Sequence, residues 1–456
     1  MNSDKRRILE LEQRVAELEQ LVLKLYEIIE SQARELAYYR NAKNSGNSSV
    51  PPSQDPFRIK RTESLRESTG KKRGGQPGHK GETLEMVDHP DQVIEHKPRY
   101  CSECGQDLSS YSSDFVGKRQ LIDLPNIAPV ITEHRVYLTK CRCGHSTASA
   151  YPSTVHSPVC YGENITALSA YFHARQYIPY ERMQEMFKDV FGVRVSQGTL
   201  VKMQKTFAGK SGGIYEQIRC RVERSSLVGG DETGVCINGH NQWAWAFQND
   251  KNTYIRVHAS RGKKAIDDIF PRGFAQATVV HDCWKPYFIT NCQSHQICTA
   301  HLLRELKYLE KLYPGENWTS SFKSLLLEAI ELKKQLTPTD YYHTNEKCQT
   351  IEEHLAKLLQ YQVDPKYQKL HAFKDRIVKY QDFLLQFLYR HDIPPDNNSS
   401  ERTMRTFKVK QKVSGLFRSK EGAEHFAIIR SIIDTTIKNS KNVLEALALI
   451  AKLEAE

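Results

Sequence analysis

The sequence predicts a multidomain α/β protein in which an α/β core follows a long helix, a cysteine-bearing module and a small helical domain. Three observations carry that prediction. The chain has 456 residues, too many for one ordinary hydrophobic core. Two short apolar runs, "SSLVGGDETGVCING" and "ATVVHDCW", end in acids and are separated by two further strand-like runs and a short helical one. A leucine- and lysine-rich stretch over about 302–390 then precedes an acid-headed basic helix, "DNNSSERTMRTFKVKQK".

The first forty residues carry a heptad. Ile8, Val15, Val22 and Ile29 fall at a, and Leu11, Leu18 and Leu25 at d; β-branched a with leucine d favours parallel two-stranded coils. Contacts from g to e′ would join Arg7 with Glu12, Arg14 with Glu19 and Glu35 with Arg40, all of opposite sign, so the expectation is a homodimer or higher oligomer. The alternative is one amphipathic helix packed on its own domain. From 41 to 81 the composition turns to Ser, Asn, Gly, Pro and base, which predicts a flexible linker whose basic end, with Arg73, either tracks a phosphate backbone or is a solvated tether.

"CSECGQ" and "CRCGH" place Cys101 and Cys104 two residues apart and Cys141 and Cys143 one apart. Four thiolates on two tight turns suit the tetrahedral preference of one structural Zn²⁺; replacement of one cysteine by His145, or unligated thiols, are the alternatives. Three helices are expected between 161 and 208, the last capped by Ser196. That order suits a helix-turn-helix presenting Lys202 to DNA, and equally an ordinary three-helix packing unit.

In the core, the strands ending near Asp231 and Asp282, with "QWAWAFQN", "TYIRVHAS" and the helix "KKAIDDIF" between them, describe a ribonuclease-H-like sheet that sets the two aspartates at adjacent strand ends. Acids at strand ends are frequent as solvated terminators, so the third acid decides the reading. Glu401 heads a run whose other charges are all basic, and three carboxylates can hold two Mg²⁺ ions, or Mn²⁺ in their place, about 3.5 to 4 Å apart for in-line phosphodiester chemistry. Arg402, Arg405, Lys408, Lys410 and Lys412 would then lie along the nucleic-acid backbone. A formal net charge of +11 favours a polyanionic partner. The opening residues contain no apolar run of signal-peptide length and no segment approaches a membrane span, so the expectation is a cytoplasmic, nucleoid-associated protein with no membrane partner.

In "NCQSHQICTAHLLREL", Cys292, His295, Cys298 and His301 recur every three residues. Because the earlier part reads as strand, convergence of all four on a second zinc is disfavoured. Arg304, one turn on, reads as a phosphate contact or as half of a surface ion pair. The C-terminal residues are helical in pattern, and "SGLFRSKEGA" brings Ser414, Arg418 and Lys420 to a loop before them.

The heptad start, "GGQPGHKG", the paired cysteine knuckles, "GGDETG", "VVHDCW", "CTAHLLREL" and "NNSSERTMR", in that order, resemble bacterial transposases of the insertion-sequence-66 family over nearly the whole chain. The resemblance implies a DDE transposase with Asp231, Asp282 and Glu401 as its catalytic triad, a helical insertion before the glutamate, and Cys298 and His301 as a cysteine–histidine pair of supporting or DNA-contacting role. Such a protein would bind the ends of its own element, cleave them with Mg²⁺ and join them to target DNA, with accessory transposition proteins in some related elements. A DNA-binding repressor derived from a transposase and a structure-selective nuclease are the rival readings. The expected boundaries are a coil at 1–40, linker 41–81, zinc module 82–155, helical DNA-binding domain 156–224, catalytic core 225–301, insertion 302–390 and core C-terminal part 391–456.

Overall fold

The structure is a computed structural model and describes residues 3–40, 84–125, 127–342 and 345–454. The whole of the predicted linker, 41–81, with Arg73, lies outside the described residues. The chain divides into two units, one formed by 59–131 with 190–192 and the other by the remainder. Among its described residues the smaller unit is mostly irregular, with a bridge between Tyr100 and Asp107 closing the turn that carries Cys101 and Cys104.

The larger unit begins with helix α1 (Ser3–Arg40), whose heptad residues Ile8, Leu11, Val15, Leu18, Val22, Leu25 and Ile29 are each about half exposed. The side chain of Arg40, expected to pair with Glu35, lies outside the described residues. A two-stranded antiparallel ribbon, β1 (Leu138–Lys140) and β2 (Ser146–Ala148), flanks the turn bearing Cys141 and Cys143. Helices α2 (Glu163–Ala170), α3 (Tyr180–Phe191), α4 (Gln197–Lys210) and α5 (Gly212–Glu223) follow, with one π turn at Tyr171–Arg175. Ser196 caps α4 as its sequence position suggested: its Oγ accepts from the Thr199 N–H at 3.1 Å.

The sheet contains β3 (Leu227–Ile237), β4 (His240–Gln248), β5 (Thr253–His258), β6 (Phe274–His281) and β7 (Cys292–Ile297), with α6 (Lys263–Ile269) between β5 and β6 and α7 (Lys285–Phe288) between β6 and β7. Its spatial order is β5-β4-β3-β6-β7: an antiparallel meander of three strands, then two strands parallel to β3. Parallel neighbours need a crossover, which α6 supplies between β5 and β6, while the turn at Asn238 and Gly239, both with positive φ, closes the β3–β4 hairpin.

After β7 come α8 (Thr299–Leu312), α9 (Asn317–Gln335), α10 (Glu346–Gln360) and α11 (Gln368–Lys379), then α12 (Asn398–Ser414), α13 (Lys420–Lys438) and α14 (Val443–Ala451). Two apolar clusters result. One joins sheet residues such as Val228, Phe247, Ile255 and Val279 to Phe407 of α12 and Phe426, Ile429 and Ile433 of α13. The other starts at Ile297, where β7 ends, and runs through Leu302 and Leu306 of α8, Phe322 of α9, Leu355 of α10 and Phe373 of α11. The stretch from α8 to α11 therefore has its own core and is not a set of helices draped on the sheet. Among the described residues, no helix is long and apolar enough to cross a membrane.

Candidate active site

The chain's conspicuous glycine pair explains how two elements approach β3. A Cβ on Gly229 would stand 2.7 Å from both Asn397 Oδ1 and Ser400 Oγ at the start of α12, and one on Gly230 would meet the Tyr287 ring at 2.8 Å on the opposite face. With both side chains absent, Asn397 Nδ2 donates to Gly230 O at 2.7 Å, Ser400 Oγ donates to Asn397 Oδ1 at 2.6 Å, and Gln248 Nε2 donates to Ser400 Oγ at 2.8 Å. This buried chain of polar groups fixes the first turn of α12 beside the residue that follows the glycines, Asp231.

Asp231 lies on β3, on the same side of the strand as Gly229. The parallel register pairs Val228 with Val279 and Gly229 with Val280, so its continuation by two residues sets Asp231 across from Asp282, the residue just past β6. Asp282 Oδ1 accepts the Trp284 N–H at 3.0 Å. Burial raises the Asp231 carboxyl well above the usual carboxylate range, and the charges of Glu232, Asp282 and Glu401 raise it further. Burial also raises Asp282, opposed by the Trp284 N–H and by the positive charges of Arg261, Arg376 and Arg304. The three acids singled out in the sequence thus share one electrostatic neighbourhood: the charge of Glu401 is felt at Asp231.

Glu401 sits in the first turn of α12 and is mostly buried. Its Oε1 accepts from Arg304 Nη2 at 2.5 Å and stands 3.5 Å from His301 Nδ1, while Oε2 is 3.6 Å from Arg405 Nη2. Arg304 is therefore an ion-pair partner of the acid. Cys298 and His301 belong to the start of α8, where the Asn397 N–H donates to Cys298 Sγ at 3.1 Å and the Thr299 N–H and hydroxyl donate to Pro395 O at 2.9 and 2.8 Å. These bonds hold the N-termini of α8 and α12 together. Cys292 and His295 lie apart from that pair, on β7, where His295 Nδ1 is 3.1 Å from His281 Nε2 and its Nε2 is 3.3 Å from Cys292 Sγ.

Sequence reasoning passed over Glu232, although "GGDETG" displays it. It is buried on the other face of β3, where Tyr287 OH donates to Oε2 at 2.7 Å and the Arg261 guanidinium bonds Oε1 at 3.0 Å. Arg261 in turn lies between the rings of Trp243 and Trp284, 4.8 and 4.5 Å from their centroids. Burial and the Asp282 charge push Glu232 up to about 7 despite these partners. The alternation of a strand was the only available signal that a second acid, one residue on, would be buried behind the first.

The basic face of α12 is smaller than its sequence suggests. Arg402, Arg405 and Lys412 are exposed. Lys408 is half-buried and donates to Gly234 O. Lys410 corrects the expectation of a phosphate contact: it is 5% exposed, with Nζ 3.4 Å from His173 Nδ1, because its place on the helix turns toward the π turn rather than toward solvent. On α4, Lys202 is exposed opposite a face buried through Leu200, Met203 and Phe207.

Each cysteine knuckle is a tight turn closed by a glycine with positive φ. Cys101 N–H donates to Gln106 O at 2.9 Å ahead of Gly105, and Cys141 N–H donates to His145 O at 2.7 Å around Gly144. Backbone N–H groups of Cys104 and Glu103 lower the Cys101 thiol below its ordinary value, and those of Cys143 and Arg142 contribute likewise at Cys141.

No curated protein sequence matches the chain. Residues 2–85 match a family of unknown function, DUF6444. Residues 158–425, more than half of the chain and the part that contains both aspartates, Glu401 and the helices between them, match the Transposase IS66 family, and the protein belongs to that family.

Proposed function

We propose that this transposase is of the DDE type, with Asp231, Asp282 and Glu401 holding the ions of a ribonuclease-H-like core. The observation that carries the reading is a shared neighbourhood of charge: Asp231 on β3, Asp282 just past the parallel β6 where the register continues, and a helix-borne glutamate whose charge adds to burial in raising the first of them. The β5-β4-β3-β6-β7 order, a meander followed by two parallel strands, is the arrangement such a core requires.

The donor set fits hard divalent cations. All three side chains offer oxygen, and the burial and neighbouring charges that raise Asp231 are a strain of the kind a bound Mg²⁺ or Mn²⁺ relieves. When held by these three carboxylates, such ions would supply Lewis acidity to an in-line displacement at phosphorus. The chain's own residues do the positioning. Asn397, Ser400 and Gln248 fix the turn that carries Glu401, and the Trp284 N–H orients Asp282. Arg402, Arg405 and Lys412, exposed on the same helix, track the phosphate backbone, while Lys202 on α4 contributes to binding the element ends.

The reaction is cleavage of a phosphodiester by water, which leaves a 3′-hydroxyl, followed by attack of that hydroxyl on a target phosphodiester, which forms the new strand junction and releases the target's 3′-oxygen. Each knuckle, that of Cys101 and Cys104 and that of Cys141 and Cys143, directs N–H groups at its first thiol, which suits a thiolate ligand of structural Zn²⁺. The half-exposed heptad of α1 supports self-association.

The deciding experiment measures Mg²⁺-dependent nicking and strand transfer on DNA bearing the element ends. Asp231→Asn and Glu401→Gln are expected to lower both by at least about a hundredfold while DNA binding stays within a few-fold. Full cleavage by Glu401→Gln would remove the glutamate from the mechanism.

A further inference from the structure

We infer that Cys298, His301 and Glu401 form a second cation site, of zinc-binding chemistry, which shares its carboxylate with the Mg²⁺ centre proposed above. One ligand atom from each of these side chains lies within 4.8 Å of the other two, and among the described residues no other group of three such ligands meets that condition. A second observation points to a ligand: His301 Nδ1 is buried without a hydrogen-bond partner among the described residues, yet it faces Glu401 Oε1 from 3.5 Å. A buried imidazole nitrogen with no partner is costly unless something coordinates it.

The chemistry of the set selects the ion. Mg²⁺ wants oxygen in near-octahedral array, whereas a thiolate and an imidazole beside one carboxylate suit Zn²⁺, with water as the fourth ligand. Binding releases the Cys298 thiol proton, and the resulting thiolate and the carboxylate balance the charge of the dication. Both anionic ligands sit at helix N-termini, Cys298 as the cap of α8 and Glu401 in the first turn of α12, where the helix dipoles favour negative charge. The Asn397 N–H already directs its proton at Cys298 Sγ, the outer hydrogen bond a zinc thiolate commonly receives.

Arg304 is the opposing element. Its guanidinium holds Glu401 Oε1 at 2.5 Å, so zinc competes with Arg304 for the same oxygen. Since Glu401 is also the third carboxylate of the proposed catalytic centre, zinc at Cys298 and His301 would draw it from that centre and inhibit Mg²⁺-dependent cleavage. The inhibitory consequence rests on the DDE reading; the ion site itself does not.

The test is Co²⁺ titration of the full-length, metal-stripped protein, read by thiolate-to-cobalt charge-transfer absorption. Relative to wild type, Cys298→Ser is expected to lose one cobalt equivalent of that absorption, with the knuckle cysteines intact in both proteins. His301→Gln is expected to weaken the same equivalent at least tenfold, and Arg304→Gln to tighten it. Near-UV circular dichroism checks folding, and if Cys298→Ser does not fold then His301→Gln and Arg304→Gln decide. Superimposable titrations of wild type and the folded variants would overturn the site. Zn²⁺ is then added to Mg²⁺-dependent cleavage reactions: inhibition of wild type that is relieved in His301→Gln, relative to that variant's own zinc-free rate, supports the shared glutamate, and equal inhibition of both overturns the sharing. A wild-type protein that binds the cobalt equivalent but shows no Mg²⁺-dependent cleavage would sink the DDE reading and leave the ion site standing.

Discussion

Asp231 illustrates how a buried carboxylate stores instability. Its pKa is raised in the folded chain by burial and by three neighbouring acids, so the folded state holds its proton to higher pH than the unfolded state does. The stabilising contribution is complete below the ordinary aspartate value and is lost as pH rises through the raised value. Metal binding needs the ionised form, and Mg²⁺ affinity is therefore expected to climb with pH across that window. Thermal shift measured with and without Mg²⁺ at several pH values tests the sign, and a shift that does not grow with pH contradicts it. By the same logic Asp231→Asn is expected to stabilise the metal-free protein at alkaline pH by about 0.5–2 kcal/mol while abolishing cleavage. Gly229 acts in the opposite sense. A methyl group there meets Asn397 and Ser400 at 2.7 Å, so Gly229→Ala is expected to cost about 1–3 kcal/mol in chemical denaturation and to reduce cleavage by displacing the turn that carries Glu401.

At the scale of elements, the decisive junction is where the starts of α8 and α12 meet β3 at its glycine pair. Asn397 alone bonds three partners there: its N–H reaches Cys298 Sγ, its amide reaches Gly230 O, and its carbonyl oxygen accepts from Ser400. Asn397→Ala leaves buried polar groups unmatched and is expected to cost about 1–3 kcal/mol, with a loss of cleavage larger than the loss of DNA binding. Helix α12 also divides its cations by face. Replacing Arg402 and Arg405 by alanine is expected to weaken DNA binding and to reduce the slope of log K against log salt by about 2, whereas Lys410→Met leaves the slope unchanged because that ammonium is already buried against His173. Equal slopes for all three proteins would remove α12 from the DNA interface.

At the scale of the molecule, α1 presents a regular apolar stripe that its own chain leaves about half exposed, with Leu18 at 55% and Leu25 at 49%. A stripe of that length is stable in water when a second copy covers it. On the proposed self-association, wild type sediments as an oligomer and Leu18→Glu with Leu25→Glu is expected to sediment as a monomer; an equal mass for both would assign the stripe to another surface. The two apolar clusters separate the labour of the remaining chain. One holds the sheet against α12 and α13, and the other gives α8 to α11 a core of their own between the second acid and the third.

The linear pattern of residues was enough to place a strand at Asp231, a strand leading to Asp282 and the cap at Ser196, because strand alternation and capping chemistry are local properties; the strand expected to end at Asp231 instead runs on to Ile237, since its pairing with β4 continues past the acid. Tertiary structure alone decided that Glu232 would be buried behind Asp231, that Arg304 would clasp Glu401, that Lys410 would turn inward, and that Cys298 and His301 would meet the glutamate while Cys292 and His295 would not. Each of those outcomes depends on which face of one element meets another, and helices α8 and α12 are brought together across roughly a hundred residues by a few buried hydrogen bonds that no periodicity in the chain announces.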